Sequence, residues 1–398
     1  YYLYMITTFG GGVGAGKFLE GLYSQISKKE LNIIVNTADD IDIYDVRVSP
    51  DVDSVFYWLS GMVNREKGWG IKNDTFNHLK NREISDSWFN LGDSDYVENK
   101  KKKKLLDKGI LLQEIIKRQK KKFGINKANI FPMTNTNVET FITSKRKKIH
   151  FQEYLIKYKM KPKIDKITFK NIRKSKPAKG ILNKISQSEL IIFCPSNPII
   201  SVEPILSVPG IRREVKKSKA IKVAISPIVG KKAFKGPVLD FMKAKGLPPS
   251  VFGVACFYKD LVNYLMVDLE DKSYEKKIRS LGICPIYRNI KMNKKTTSIN
   301  MAKSISTKYQ ILTFDPVPKK YFDIMHRLLS TKDMKIDILS RFNPESVIFL
   351  NFEDVKDLNP KDFCNILEKK LNTKSIVVGK DFKFGKNREG DVNFLIKH

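Results

Sequence analysis

Over the first 300 residues, short apolar runs alternate with stretches whose apolar side chains recur at helical spacing. Tyr2 to Phe9 is a β-branched and aromatic run that reads as a strand, and downstream Phe18, Leu19, Leu22 and Ile26 fall on one helical face. The alternation continues with a strand-like run at 31–37, a helix-like stretch at 54–62, and further strand-like runs at 190–194 and 222–226. Such alternation predicts an α/β protein with a doubly wound, mostly parallel Rossmann-like sheet covered by helices. Residues of about 65–150 are polar and lysine-rich, with helical spacing at Leu105, Leu106, Leu111, Leu112, Ile115 and Ile116, which predicts a helical insertion. After Ser304 the pattern restarts: a strand at 309–314, a turn at Pro316 and Pro318, a helix near 332–341, a strand at 346–350, a helix at 360–371 and a strand at 375–378. The expected organisation is a first domain over 1–305 and a smaller, truncated α/β unit over 306–398.

Composition narrows the class. A hydrophobic share of 41% with 11% aromatic residues in 398 residues is that of a globular chain with one large core or two ordinary ones. The formal charge of +32 suggests a polyanion partner at first sight, but only 13 of the 74 basic residues are Arg, the residue that forks onto phosphates and base edges. The lysine runs at 100–104, 120–122 and 145–148 lack interleaved aromatics and read as solvated surface, so no specific nucleic acid partner is expected. Cys194, Cys256, Cys284 and Cys364 are far apart with no C-x-x-C pair, which argues against zinc and for a reducing, cytoplasmic setting. No apolar run reaches the length of about 18 residues that a membrane span needs, and no signal peptide is expected.

The chemistry concentrates near the amino end. Gly10-Gly11-Gly12-Val13-Gly14-Ala15-Gly16-Lys17 joins the first strand to the first helix, where glycine lets the backbone approach a phosphate. The spacing from Gly11 to Lys17 satisfies G-x-x-x-x-G-K, but Phe18 stands where a P-loop needs Ser or Thr for magnesium, which excludes a Walker ATPase. At the carboxyl end of the second strand, where doubly wound sheets bind ligands, "VNTADD" places Asn36, Asp39 and Asp40; "VSPDVD" then adds Asp51 and Asp53. Carboxylates converging beside a phosphate loop call for a cation between them, and Mg²⁺ takes one or two carboxylates plus substrate phosphates. Each aspartate could equally cap the next helix.

With these residues in place, the sequence resembles the CofD family of 2-phospho-L-lactate transferases. The resemblance runs in order over about 300 residues: "GGGVGAGKFLEGL", "VNTADD", "VSPDVDSVFYWLSG", "GWGIKNDTF", "WFNLGDSD", "FQEY", "PSNPIISVEPIL", "VPGIR" and "SPIVGKKAFKGP". It implies transfer of a 2-phospholactyl or phosphoenolpyruvyl group from a guanosine-diphosphate-linked lactate or enolpyruvate donor to the deazaflavin alcohol Fo, with release of GMP, in coenzyme F420 synthesis. Under that resemblance Asp39, Asp40 and Asp53 hold Mg²⁺, and one of them receives the attacking proton. Gly11, Gly12, Gly14, Gly16 and Lys17 cradle phosphate, Ser196 and Asn197 contact nucleotide or phosphate, Asn36 joins the ligand-binding set, and Trp69 with Trp88 walls the deazaflavin ring. A homodimer is also implied.

The chain departs from the family's pattern at several points. Asn99 and the run 100–104 stand where a His and an Arg-Thr pair are usual; Asn135 replaces a common Asp, Lys231 a Gly and Phe257 a frequent His. The tail resembles a second family, the flavin-nucleotide synthetases, through "LTFDPVP" from Leu312 and "VVGKDFKFGKNREGD" from Val377. Asp381, Phe382 and Phe384 stand as if lining a flavin pocket, but the histidine-bearing nucleotide loop of that family is lacking, and no adenylyl transfer is expected. Two other readings of the whole chain are a non-enzymatic nucleotide or nucleotide-sugar sensor on the same fold and a basic nucleic-acid-binding protein.

Overall fold

The computed structural model describes residues 5–26, 31–80, 88–230, 232–233, 238–292, 310–315, 332, 336, 346–371, 373, 376, 378 and 382–397. The chain divides into two compact units, Tyr1–Ser306 and Thr307–His398.

The first unit is organised by seven strands: β1 (Ile6–Gly10), β2 (Leu31–Val35), β3 (Ala128–Pro132), β4 (Leu190–Phe193), β5 (Ile221–Ile225), β6 (Tyr264–Val267) and β7 (Cys284–Tyr287). They pair in the order β7-β6-β5-β4-β1-β2-β3, every pair parallel. β1, β2 and β4 are buried along their whole length, as parallel strands covered on both faces must be. Because successive side chains leave opposite faces, Ile34, Ile191 and Phe193 enter one core while Ile33, Val35 and Ile192 enter another. The second core is closed by α1 (Gly12–Gln25) and α2 (Pro50–Ser60), through Phe18, Leu19, Leu22, Val55 and Phe56. The first is closed by shorter helices, among them Val251–Tyr258.

The insertion expected over 65–150 is only partly helical. Helices α3 (Asp93–Asp107) and α4 (Leu112–Lys122) form in its middle, and Ile115 and Ile116 are buried as their spacing required. Residues 128–132 instead supply the edge strand β3, and Glu139–Ser144 pairs with both Lys147–His150 and Lys166–Lys170 in a three-stranded antiparallel sheet. The alternation of intermediate and buried residues over 139–144 is a strand pattern, which the surrounding lysines mask.

The second unit carries two parallel strands, Gln310–Phe314 and Ser346–Leu350, a helix at Pro360–Asn365 and a short antiparallel pair at Lys383–Phe384 and Gly390–Asp391. Phe363, Leu367 and Phe384 anchor its core, and Phe382 stacks on Phe384 at 5.5 Å. Pro316, Pro318, Asp381 and almost all of 332–341, and the strand expected at 375–378 apart from Ile376 and Val378, lie outside the described residues, as does Lys231.

Candidate active site

β1 and β4 are neighbours, yet the chain builds outwards from them in opposite directions, to β2 and β3 on one side and to β5, β6 and β7 on the other. A doubly wound sheet opens a crevice at such a reversal, beyond the carboxyl ends of the strands. A cavity of about 580 Å³ is lined there by Gly11, Gly12 and Gly14 after β1, Asp39 after β2, Pro195, Ser196 and Asn197 after β4, and Pro227 after β5.

Its floor is suited to an anion. Gly12, Val13 and Gly14, the first turn of α1, line the cavity, and no side chain caps that helix, whose first N–H groups have no partner within it. Lys17 also lines the cavity; its Nζ donates to the Met292 carbonyl at 3.3 Å, and burial lowers its pKa. The Ser196 hydroxyl accepts from the Gly11 N–H at 3.2 Å and donates to the Gly11 carbonyl at 3.0 Å, tying the two central loops together. Asn197 Oδ1 accepts the Ile199 N–H at 3.0 Å, while its Nδ2 makes no hydrogen bond among the described residues. Gly16 does not line the cavity, contrary to the expected phosphate role. It lies a full turn into α1, where a Cβ would come within 2.2 Å of Trp58 Cδ1, so its bareness lets α1 pack on α2.

The acids divide into two groups. Asp39 and Asp51 line the cavity, and among the described residues neither has an ion-pair partner. Asp39 Oδ1 accepts from Thr140 Oγ1 at 3.2 Å, and Asp51 Oδ2 accepts from Asn36 Nδ2 at 3.0 Å. Burial and the charge of Asp51 push the Asp39 carboxyl well up from its usual range, and burial raises Asp51 to about 6. Asp51 presses so close to the glycine loop that a Cβ on Gly11 would lie 2.2 Å from its Oδ2. Asn36 is itself fully buried and absent from the cavity wall; its amide holds Asp51 and the Ile200 carbonyl, so it positions an acid rather than meeting a ligand.

The other two acids are already engaged. Asp40 is off the cavity wall: Ser49 Oγ donates to its Oδ2 at 2.7 Å, Arg47 Nε stands 3.7 Å from the same oxygen, and burial raises its pKa to about 7. Asp53 lines the cavity, but Lys102 Nζ binds both its oxygens at 2.8 and 3.1 Å and the Ser49 N–H donates to Oδ2 at 3.2 Å. The expected trio of Asp39, Asp40 and Asp53 therefore does not converge, and no group of three or more His, Cys, Asp or Glu that could hold a metal occurs among the described residues. Asp51 and Asp53 are two apart on α2, and residues at that spacing leave different faces of a helix. That geometry was available to show that one of them, not both, could face the loop.

A second part of the lining, the wall, is apolar. Val48, Trp69, Phe89, Leu91, Leu155 and Ile156 line it, with Trp69 38% exposed and the Lys67 ammonium 5.5 Å from its ring centroid. Trp88 is not part of the wall; it packs edge-on to Phe89 at 5.7 Å, in the cluster of Val46, Val48 and Leu91.

Residues 6–309 match the family model described as 2-phospho-L-lactate transferase CofD. The chain belongs to the CofD family. It is 39% identical over 283 residues to a 2-phospho-L-lactate transferase of Methanocaldococcus jannaschii, covering 69% of this chain and 90% of that one. It is 32% identical over 299 residues to the protein of the same name from Methanococcoides burtonii, covering 75% of this chain and 97% of that one. A crystal structure of a member of the UPF0052 family from Bacillus halodurans shares the fold, with a TM-score of 0.52 and 18% identity over 76% of this chain and 99% of that one. Residues 296–398 match the model described as FAD synthetase, so the two matches overlap at 296–309.

Within the CofD unit, the departures from the family pattern now have places. The lysine run is not all solvated surface: Asp95, Asn99 and Lys102 share one face of α3 at i, i+4 and i+7, and Lys102 is only 1% exposed. Asn135 accepts the Gln113 N–H at 2.9 Å, and Phe257 packs edge-on to Tyr258 at 4.9 Å; neither reaches the cavity. No helix among the described residues is long and apolar enough to cross a membrane.

Proposed function

We propose that the CofD unit transfers a 2-phospholactyl or phosphoenolpyruvyl group from a guanosine-diphosphate-linked donor to the hydroxyl of the deazaflavin Fo, releasing GMP, in coenzyme F420 synthesis. The observation that carries this reading is the division of one cavity into an anion-suited floor and an apolar aromatic wall, as a charged donor and a flat ring acceptor require together.

On this reading the diphosphate lies against the first turn of α1, with Lys17 and the Asn197 amide donating from either side. The deazaflavin ring lies along Trp69, Phe89 and Leu91. Mg²⁺ fits Asp39 and Asp51: both are buried carboxylates raised by desolvation, without a cation of their own, beside the phosphate floor. Bound there, it would neutralise charge on the phosphates. Asn36 and Thr140 aim the two carboxylates. The rest is positioning: the acceptor oxygen bonds to phosphorus as the bond from phosphorus to the GMP oxygen breaks, and the acceptor gives up its proton.

The test is incubation with Fo, the guanosine-linked donor and Mg²⁺, followed by chromatography. GMP should appear in step with the phosphorylated acceptor. Nucleotide binding without GMP would favour the sensor, and salt-sensitive DNA binding without nucleotide affinity would favour the nucleic-acid reading. For the tail we propose no adenylyl transfer, because the residues matching the FAD synthetase model contain no histidine-bearing glycine loop. Formation of FAD from FMN and ATP would refute that.

A further inference from the structure

Among the described residues four carboxylates line the cavity: Asp39, Asp51, Asp53 and Asp95. The first two are reserved for the phosphate side and the third is bound by Lys102. Asp95 differs in origin and in surroundings. It comes from the same segment as Phe89, Asn90 and Leu91, which line the cavity with it. It opens α3, where its own N–H donates to Asp74 Oδ2 at 3.2 Å and its carbonyl accepts from Asn99 Nδ2 at 2.8 Å, which fixes the backbone. The Tyr57 hydroxyl, from α2, donates to Oδ1, with Asn99 Nδ2 at 3.5 Å from the same oxygen. Oδ2 makes no hydrogen bond among the described residues. One oxygen is held, and the other has no partner in a residue that lines the cavity.

We infer that Asp95, aimed by Tyr57, is the group that takes the proton of the attacking hydroxyl. This rests on the transferase reading above. As the acceptor oxygen bonds to phosphorus and the phosphorus–oxygen bond to GMP breaks, the hydroxyl proton passes to the Asp95 carboxylate; the electron pair of the broken bond leaves with GMP. Asp95 returns the proton to solvent before the next turnover. Its surroundings suit a base at neutral pH. Burial and the facing charges of Asp53 and Asp74 raise it, the Tyr57 hydroxyl and the Lys102 ammonium hold it down, and it is pushed up to about 7. Tyr57 is raised well above its usual range by burial and by Asp95, so it stays protonated and serves as the donor.

The full chain tests this with Fo, donor and Mg²⁺, reading GMP release against pH. For the parent, the rate should rise as pH climbs through about 7, where Asp95 ionises. Asp95→Asn should lower kcat by about 10²-fold or more with donor affinity unchanged, as expected for loss of a general base. Tyr57→Phe keeps the carboxylate but removes the bond that favours its charged form, so the acidic limb should move to higher pH. Formate should restore part of the turnover of Asp95→Gly. A kcat for Asp95→Asn within about threefold of the parent, far inside the range for a lost base, overturns the inference. So does an acidic limb that Tyr57→Phe leaves in place, or a loss of donor binding in Asp95→Asn that matches its loss of rate. A parent that releases no GMP refutes the transferase reading and this inference with it, whereas an active parent with an equally active Asp95→Asn refutes this inference alone.

Discussion

The floor and the wall of the cavity are built by different means. The floor consists of the ends of β1, β2 and β4, strands paired in register over four or five residues each and buried throughout. The wall at Trp69, Gly70, Phe89 and Leu91 comes from turns and extended segments between α2 and α3. Charge must be met at fixed distances, and a buried sheet gives that rigidity. Apolar contact is nondirectional and tolerates a less regular frame. Substitutions at the floor should therefore act on turnover or on folding by large factors, and those at the wall on acceptor affinity by small ones.

Asp51→Asn makes the largest demand on this contrast. It keeps a partner for Asn36 but removes a carboxylate from the phosphate side, so GMP release should fall by about 10³-fold with the circular dichroism spectrum unchanged. Asp53→Asn, two residues on, should instead strip Lys102 of its counter-charge and act first on stability. If Asp53→Asn abolished turnover in a fully stable protein while Asp51→Asn was active, the roles of the two aspartates would be reversed.

Lys102→Met tests the support behind Asp53, which lines the cavity. Lys102 is buried in α3 with its ammonium on both oxygens of Asp53, so its loss leaves an uncompensated buried charge, at a cost of about 3–5 kcal/mol. Urea unfolding of the two proteins would measure it. A surface lysine of the same run, Lys104→Met, should change stability by about 0.5 kcal/mol or less.

The sheet was legible in the sequence because fully buried parallel strands are continuous apolar runs: Leu31–Val35 and Leu190–Phe193 stand out against anything around them. The strands at 128–132 and 139–150 were not, since they lie among lysines whose helical neighbours set the local impression. That Gly11, Gly12, Gly14 and Asp39 would line the crevice was legible because position after a strand is a local property. Which of the remaining acids face the cavity depended on partners distant in sequence: Arg47 and Ser49 take Asp40, and Lys102 takes Asp53 from 49 residues away. Asp95 and Tyr57 were missed for the same reason, being separated by 38 residues and joined by a hydrogen bond between side chains of α3 and α2.

Asp95→Asn also separates function from stability by the sign of its pH dependence. The folded value of about 7 lies above the unfolded carboxyl value near 4, so over that interval the native state holds a proton that the unfolded chain has lost. The contribution of Asp95 is thus intact below pH 4 and is lost as pH rises to 7. Asparagine carries no such penalty and still accepts from Tyr57. The variant should gain about 1–3 kcal/mol over the parent at pH 8 and little at pH 4, read by denaturant titration at the two pH values. A gain independent of pH would mean that Asp95 titrates alike in the folded and unfolded chains, so that burial does not raise it.

Trp69→Ala should have the smallest effect, and it bears most directly on the wall. The ring is partly exposed and held by packing and by the Lys67 ammonium rather than by the sheet, so removing it should leave the fold and the floor as they are. Stacking of a flat heterocycle on an aromatic side chain is worth about 1–3 kcal/mol, and a partly exposed ring should realise the lower end, a rise of about 5–10-fold in KM for Fo. kcat and donor affinity should stay within about twofold, because the contact is the same in ground and transition states and uniform binding does not change the chemical step. A fall in kcat at unchanged KM would place Trp69 among the groups that orient the reacting hydroxyl, and the wall would then share the precision assigned to the floor.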